Sequence, residues 1–312
     1  MNNDKIITIK DAYLDYIKYA KLHLKPTTIL NIERKFKLHI IPYIGNFNIY
    51  EFSESNYMDW QRCIRDLKYS KSFNKAIQSL MINFFDYLRL NYKIHNIPKL
   101  VKSFYNYHDV KKTNINILKY RDFKKFIKIT KKDILYNTLF EFLYFTGVRK
   151  GELLALNWND LNKRYIYINK TITKELFNGE RLITIPKTKT SIRKIKLDLK
   201  TYIKLLKLKK YYIKNDKSFN NNYFIFGGSK PIATTTLDRK KNYYFDKANV
   251  KRVRIHDFRH SHATLLYKSK CDIKLIQQRL GHASIDTTLN TYVHYNDEKR
   301  VLRTLDFLHL IF

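Results

Sequence analysis

The apolar positions of this chain recur in two rhythms. From Thr8 to Tyr92 the spacing is three and four residues, which gathers the apolar side chains of a helix on one face. Ala12, Leu14, Ile17 and Ala20 define a first helix ending near His23. Pro26-Thr27-Thr28 opens a second, with Ile29, Ile32, Phe36 and Ile40 on one side, and Pro42 is expected to stop it because proline has no amide hydrogen to continue the ladder. Tyr43-Ile44-Gly45-Asn46 reads as a turn. A third helix, capped by Ser53 or Ser55, carries Tyr57, Trp60, Cys63, Ile64 and Leu67. A fourth, from about Phe73 to Tyr92, carries Ile77, Leu80, Met81, Phe84, Phe85 and Leu88.

The rhythm then lapses. Ile97–Asn116 holds Pro98, several lysines and no sustained period, which reads as an inter-domain linker, so the domains are expected at 1–96 and 117–312. Two more helices follow, at about Tyr120–Ile129 and Asp133–Phe145, with Gly147 ending the second and setting Arg149 just beyond it. Next the period falls to two. Tyr165–Ile168, Ile172-Thr173, Leu182–Ile185 and Ile195–Leu197 read as strands of one small antiparallel sheet, with Asn178-Gly179 as a hairpin turn. A second hairpin is expected at Pro186–Arg193, with Lys187 and Lys189 on one strand face. Helices resume at about Asp198–Lys214 and Thr235–Asn249, and again in Val253–Tyr295. The fold class is therefore mainly α with a small antiparallel β-sheet. An apolar tail of Val301, Leu302, Leu305, Phe307, Leu308, Leu310 and Ile311 reads as a helix that can pack in cis.

Charge changes the picture most. The 312 residues include 61 Lys+Arg against 27 Asp+Glu, a net charge of +34, spread along the chain instead of gathered in a tail. A surface so positive attracts polyanions, nucleic acid first among them. An AT-rich gene would enrich Lys, Asn, Ile and Tyr, but it does not account for so few acids. Apolar content of 44% excludes a disordered basic tail. No apolar run approaches the roughly 18 residues of a membrane span, and Met1–Tyr19 has no signal core. Cys63 and Cys271 fit neither a metal spacing nor a disulfide framework. A reduced cytoplasmic, nucleoid-associated setting is the expectation.

Candidate chemistry concentrates in Val253–Tyr295. His256 and Arg259 stand one helical turn apart on one face. His282 follows directly after Gly281, and Tyr292 comes ten residues later. A guanidinium clamps phosphate oxygens, imidazoles move or donate protons, and a phenol can serve as nucleophile, so this set suits a phosphodiester. Glu152, three residues after Arg149, is placed to stand behind its guanidinium. His256 and His260 at i, i+4 could suggest zinc, but the glutamate of a metalloprotease motif is missing and Arg259 between them would repel a cation. His260 and His262 read as structural or supporting residues.

His256–Leu266, with Leu280–His294 and the upstream Thr146-Gly147-Val148-Arg149-Lys150-Gly151-Glu152-Leu153, resembles the tyrosine recombinases of the phage integrase family. Three separated motifs in the expected order span more than half the chain. The resemblance implies an N-terminal four-helix, SAM-like core-binding domain and an α+β catalytic domain that close around double-stranded DNA at a specific recombination site. It implies that Arg149 and Arg259 hold the scissile phosphate, His256 assists proton transfer, His282 donates a hydrogen bond to phosphate, and Tyr292 attacks to give a 3′-phosphotyrosine. A hairpin lysine, Lys187 or Lys189, would be the general acid toward the leaving 5′ oxygen. Tyr295 is the nearest rival to Tyr292. Neither cofactor, metal nor ATP is implied. The assembly implied is a homotetramer on two DNA sites, with accessory DNA-bending or directionality factors as further candidate partners. As an alternative to packing in cis, the resemblance implies that the apolar tail docks on a neighbouring protomer. The first helix begins so near Met1 that a separate arm-binding domain is not expected. Two other readings stand beside this one: a type IB topoisomerase-like or telomere-resolving enzyme with the same chemistry, and a DNA-binding protein with a decayed site.

Overall fold

The computed structural model describes residues 6–94, 116–173, 183–186 and 188–281. Most of the linker read at 97–116, the Asn178-Gly179 turn, Lys187, the Lys189 side chain, His282, Tyr292 and the apolar tail lie outside the described residues. The chain divides into two compact units, whose described parts are 6–94 and 116–281.

The described part of the first unit is built of helices. Helix α1 (Ile9–His23) opens at Thr8, whose hydroxyl accepts from the Asp11 amide while Asp11 accepts from the Thr8 amide, a reciprocal cap. Its buried face is Ile9, Ala12, Tyr16, Ile17 and Ala20. Leu14, expected inside, is exposed, because it stands two residues from both Ala12 and Tyr16 and so points away from their face. Helix α2 (Pro26–Lys35) continues past its expected end through a wider π turn (Phe36–Ile40) into α3 (Ile41–Ile44). Pro42 therefore does not stop the chain. The Ile41 amide reaches back five residues to Phe36 O, and this widening relieves the clash that a proline ring would make with the carbonyl four residues earlier. Tyr43 and Ile44, read as turn, are accordingly helical. Helix α4 (Glu54–Asp66) is capped by Ser53, and α5 (Lys71–Tyr92) buries all six apolar residues expected of it. Cys63 and Leu67 are exposed, against expectation.

The second unit is built around α7 (Ile134–Thr146), in which every residue from Tyr136 to Thr146 is buried. A helix apolar on all sides belongs in the middle of a domain. Its buried polar side chains find partners on neighbouring elements: Asn137 donates to Ile127 O and Thr130 Oγ1, and Glu141 is ion-paired with Lys204 and Lys200. Around it pack α6 (Tyr120–Ile129), α8 (Lys150–Ala155), α9 (Leu199–Asn215), α10 (Thr234–Lys247) and α11 (Ile255–Lys268), while α12 (Ile273–Leu280) packs on α11. Aromatic rings join them: Phe123 stacks on Tyr144 at 3.8 Å, Phe126 on Phe245 at 4.2 Å, and Phe258 meets Phe126, Phe140 and Phe245.

Among the described residues the β-structure forms two small sheets instead of one. Strands β1 (Leu161–Asn162), β2 (Tyr165–Ile168) and β5 (Arg193–Lys196) form an antiparallel sheet in the order β1-β2-β5, while β3 (Thr171–Ile172) pairs with β4 (Ile183–Thr184). The segment between β4 and β5 thus passes from one sheet to the other. It contains a single 3₁₀ turn, Lys189–Ser191, so the strand alternation invoked for Lys187 and Lys189 does not hold at Lys189.

Phe140→Ala, at the meeting point of Phe126, Tyr136, Tyr244 and Phe258, is expected to destabilise this unit by about 3–5 kcal/mol. A lower urea midpoint with an unchanged slope is the measurement that checks it.

Candidate active site

Helix α11 carries its chemistry on a well-anchored frame. Ile255, Phe258, Ala263 and Leu266 are buried, Asp257 accepts the Arg254 amide at 2.8 Å, and the Ser261 hydroxyl receives the Leu118 amide at 2.8 Å. Rotation of α11 is therefore fixed, and with it the direction of His256 and Arg259. The Arg259 side chain runs inward. It is 3% exposed, and it donates from Nη1 to Gly147 O at 2.9 Å and from Nη2 to Leu280 O at 2.8 Å.

Arg149 reaches the same place from another direction. Gly147 closes α7 with φ +64, a left-handed conformation that glycine adopts without strain. A Cβ there would lie 2.7 Å from the His262 ring and 2.8 Å from Leu280 Cδ2, so the approach itself requires glycine. Two residues on, Arg149 caps α8. Its amide donates to Glu152 Oε2 at 2.9 Å, its Nη1 to Glu152 Oε1 at 2.8 Å, and its Nη2 to Gly281 O at 2.8 Å. Leu280 O and Gly281 O are successive carbonyls, so Arg149 and Arg259 are brought together although 110 residues separate them in sequence.

Glu152 stands behind Arg149 as expected, but it has a second cation. Arg193, on β5, donates to both carboxylate oxygens, at 3.0 and 2.8 Å, and from Nε to Arg279 O at 2.7 Å. Burial alone would raise the Glu152 carboxyl. The paired hydrogen bonds and charge of Arg193, with the amide and charge of Arg149, outweigh it and hold the carboxyl down to about 2. Beneath lies a buried pair: Arg279 donates from Nε to His262 Nε2 at 3.2 Å and reaches Phe145 O and Lys196 O. Burial, then the Arg279 charge, holds His262 well below the usual imidazole range, so it stays neutral. Burial also lowers Arg279, to about 10.

His256 and His260 meet edge to face at 4.7 Å. Desolvation, then the charges of His256 and Arg259, lowers His260 to about 4. His256 is exposed to solvent at its outer edge. Desolvation by the surface it lies on, followed by the charge of Arg259 and also those of Arg254 and Arg149, lowers its pKa below the ordinary value. At neutral pH both rings are uncharged and can accept a proton.

Of the residues singled out in the sequence, Arg149, Glu152, His256 and Arg259 thus lie in one neighbourhood. His282, Tyr292, Lys187 and the side chain of Lys189 fall outside the described residues. Sequence reasoning gave Arg193 no role beyond closing the hairpin expected at Pro186–Arg193. The signal was present: Arg193 and Ile195 are two apart on β5, and Ile195 is buried, so alternation turns the arginine inward.

The sequence profile of the Phage integrase family matches residues 116–299, and that of the Phage integrase N-terminal SAM-like domain matches residues 8–63. The chain belongs to the phage integrase family. Among its relatives, the ICEBs1 integrase of Bacillus subtilis is 28% identical over 305 residues, covering 94% of this chain and 81% of that one. A tyrosine recombinase of Agathobacter rectalis is 27% identical, covering 97% and 96%. Among solved structures, the Tn1549 transposon integrase in complex with transposon right end DNA superposes with a TM-score of 0.73 at 21% identity, covering 91% of this chain and 94% of that one. A lambda integrase dimer bound to a core site gives 0.66 at 17%, covering 94% and 98%. These likenesses establish the fold, a helical first domain followed by a mainly helical catalytic domain with small antiparallel sheets. Among the described residues no helix is long and apolar enough to cross a membrane.

The Glu152 carboxyl sits below its ordinary value of 4.5, so the unfolded chain takes up this proton first as the pH falls. Its stabilisation is complete above about pH 4.5 and is lost as the pH falls through about 2, a difference on the order of 3 kcal/mol. Urea unfolding of wild type and Glu152→Gln is expected to show a gap that narrows over that interval. A gap independent of pH contradicts the assignment.

Proposed function

We propose that this chain is a site-specific DNA recombinase that cuts and rejoins DNA strands through a 3′-phosphotyrosine intermediate, without metal or ATP. The observation that carries this reading is the convergence of Arg149 and Arg259 on the successive carbonyls of Leu280 and Gly281, immediately before His282 in sequence. Two guanidiniums at one point, one of them nearly buried, make a place for a phosphate where water screens charge weakly. In this reading Arg149 and Arg259 hold the scissile phosphate and stabilise the pentacoordinate transition state. His256, uncharged at neutral pH, takes the proton of Tyr292. Tyr292 attacks phosphorus, the 5′ oxygen leaves with a proton from Lys187 or Lys189, and His282 donates a hydrogen bond to a phosphate oxygen. A 5′-hydroxyl of a second strand reverses the step, and the energy of the broken bond is kept in the protein–DNA link. Residues 1–96 would be the core-binding domain, 97–116 the linker and 117–312 the catalytic domain. Two duplexes and four protomers would complete the assembly. The DNA-bound structures of the Tn1549 integrase and of lambda integrase, one of them a tetramer bound to a Holliday junction, support duplex DNA as partner.

Covalent trapping tests the chemistry. Nicked suicide duplexes drawn from DNA flanking the gene, incubated without metal or ATP, are expected to give a protein–DNA adduct on denaturing gels that disappears in Tyr292→Phe. An adduct surviving that change moves the nucleophile, with Tyr295 first to be tried. Tight binding without any adduct by the wild type favours a binding protein instead.

The lowered pKa of His256 sets the pH profile. If neutral His256 accepts the tyrosine proton, the trapping rate holds from about pH 8 down to about 6.5 and falls only below that, as the imidazole protonates. A rate climbing tenfold per unit toward about pH 10 would mean that Tyr292 ionises unaided.

A further inference from the structure

Three consecutive carbonyls at the C-terminal end of α12 each accept a hydrogen bond from a different arginine. Arg279 O takes Arg193 Nε at 2.7 Å, Leu280 O takes Arg259 Nη2 at 2.8 Å, and Gly281 O takes Arg149 Nη2 at 2.8 Å. The last carbonyls of a helix have no partner within it and carry the negative end of its dipole, so cations are stabilising there. Two of these arginines belong to the proposed phosphate clamp. Arg193 does not: its side chain is 6% exposed and is turned toward protein on every side that its bonds define.

Those bonds define a rigid bracket. Nη1 and Nη2 hold the two oxygens of Glu152, Nη1 also meets Ser191 O, and Nε holds Arg279 O. Glu152 Oε1 in turn accepts from Arg149 Nη1 and Oε2 from the Arg149 amide, so the carboxylate receives four donors and has little freedom to rotate. Gly281 lies directly against the same guanidinium. A Cβ at Gly281 would come within 3.1 Å of Arg193 Nη1 and 2.9 Å of Thr190 O, and its φ of +68 also favours glycine. One planar group therefore fixes Glu152 on one side and the end of α12 on the other, and both contact Arg149.

We infer that Arg193 is a positioning residue for strand cleavage: it sets the Arg149 guanidinium through Glu152 and registers it against the backbone that leads into His282. This rests on the recombinase reading of the same site. Lysine cannot replace it, because a single ammonium cannot hold a carboxylate through two parallel bonds while reaching a backbone carbonyl from a third nitrogen.

The experiment compares Arg193→Lys, Arg149→Lys and the double variant with wild type, in the full chain. Single-turnover cleavage of the suicide duplex is measured at saturating protein, alongside duplex affinity and thermal unfolding. Arg193→Gln is made in parallel, so that the result does not depend on one variant folding well. Arg193→Lys is expected to slow cleavage about 100-fold, as a small misplacement of a clamping group does, with duplex affinity within about twofold of wild type. Because it acts through Arg149, the double variant should be scarcely slower than Arg149→Lys alone. A duplex with a methylphosphonate at the cleavage site has no charge for Arg149 to neutralise. On it the Arg193→Lys defect should shrink to less than about tenfold.

Additive defects in the double variant, or the same defect on both duplexes, would overturn the inference and leave Arg193 a packing residue. So would loss of folding or of DNA affinity in both Arg193 variants. Unchanged cleavage by Arg193→Lys, with a normal wild-type adduct, overturns this inference alone. Failure of the wild type to form any adduct overturns the recombinase reading, and this inference with it.

Discussion

The geometry of the site depends on how two helix ends are closed. Helices α7 and α12 both stop at a glycine with positive φ, and both leave carbonyls pointing into the interior of the second unit. Unpartnered there, those carbonyls would be strongly destabilising. Arg259 joins the two ends, donating to Gly147 O and to Leu280 O, and Arg149 and Arg193 take the carbonyls on either side. The same bonds that make burial of the helix termini tolerable therefore also bring the cations together.

Concentrating guanidiniums in this way raises the question of why they do not repel one another apart. Glu152 supplies part of the answer, shared between Arg149 and Arg193 with both oxygens occupied. Dipoles supply more: Gly147, Lys196, Arg279, Leu280 and Gly281 all turn carbonyl oxygens toward arginine nitrogens. Arg279, deepest of the group, is lowered in pKa by its burial, and its neighbour His262 stays neutral so that it can accept a hydrogen bond instead of adding a charge. A strongly positive field is thus held by neutral dipoles and one carboxylate. Such an arrangement suits the phosphate chemistry proposed for the site.

Much of the frame was legible in the sequence because it follows from local periodicity. The buried faces of α2, its π continuation and α5 came directly from residues three and four apart, and the family motifs around Arg149 and Arg259 stood out by their spacing. The misreadings have definite causes. Pro42 reads as a stop, but a π turn accommodates a proline that an α-turn rejects. Leu14 reads as core on its approximate helical spacing with Ala12 and Ile17, although its angle on the helix faces outward. One sheet was expected where there are two, because strands of two to four residues carry too little pattern to reveal their partners.

By itself, then, the sequence determined the helical class, the order of the two units and the strongly basic character, and it singled out Arg149, Glu152, His256 and Arg259, which the fold brings together. These are set by local spacing, by composition and by motifs that need no partner to be recognised. Only the tertiary structure decided that Arg193 belongs with Glu152, that Arg279 and His262 form a buried hydrogen-bonded pair beneath the site, and that three arginines divide the last carbonyls of α12 among them. Those choices join residues 17 to 132 positions apart. Such pairings are fixed by which buried polar groups would otherwise go without a partner, and that becomes defined only when the chain has packed.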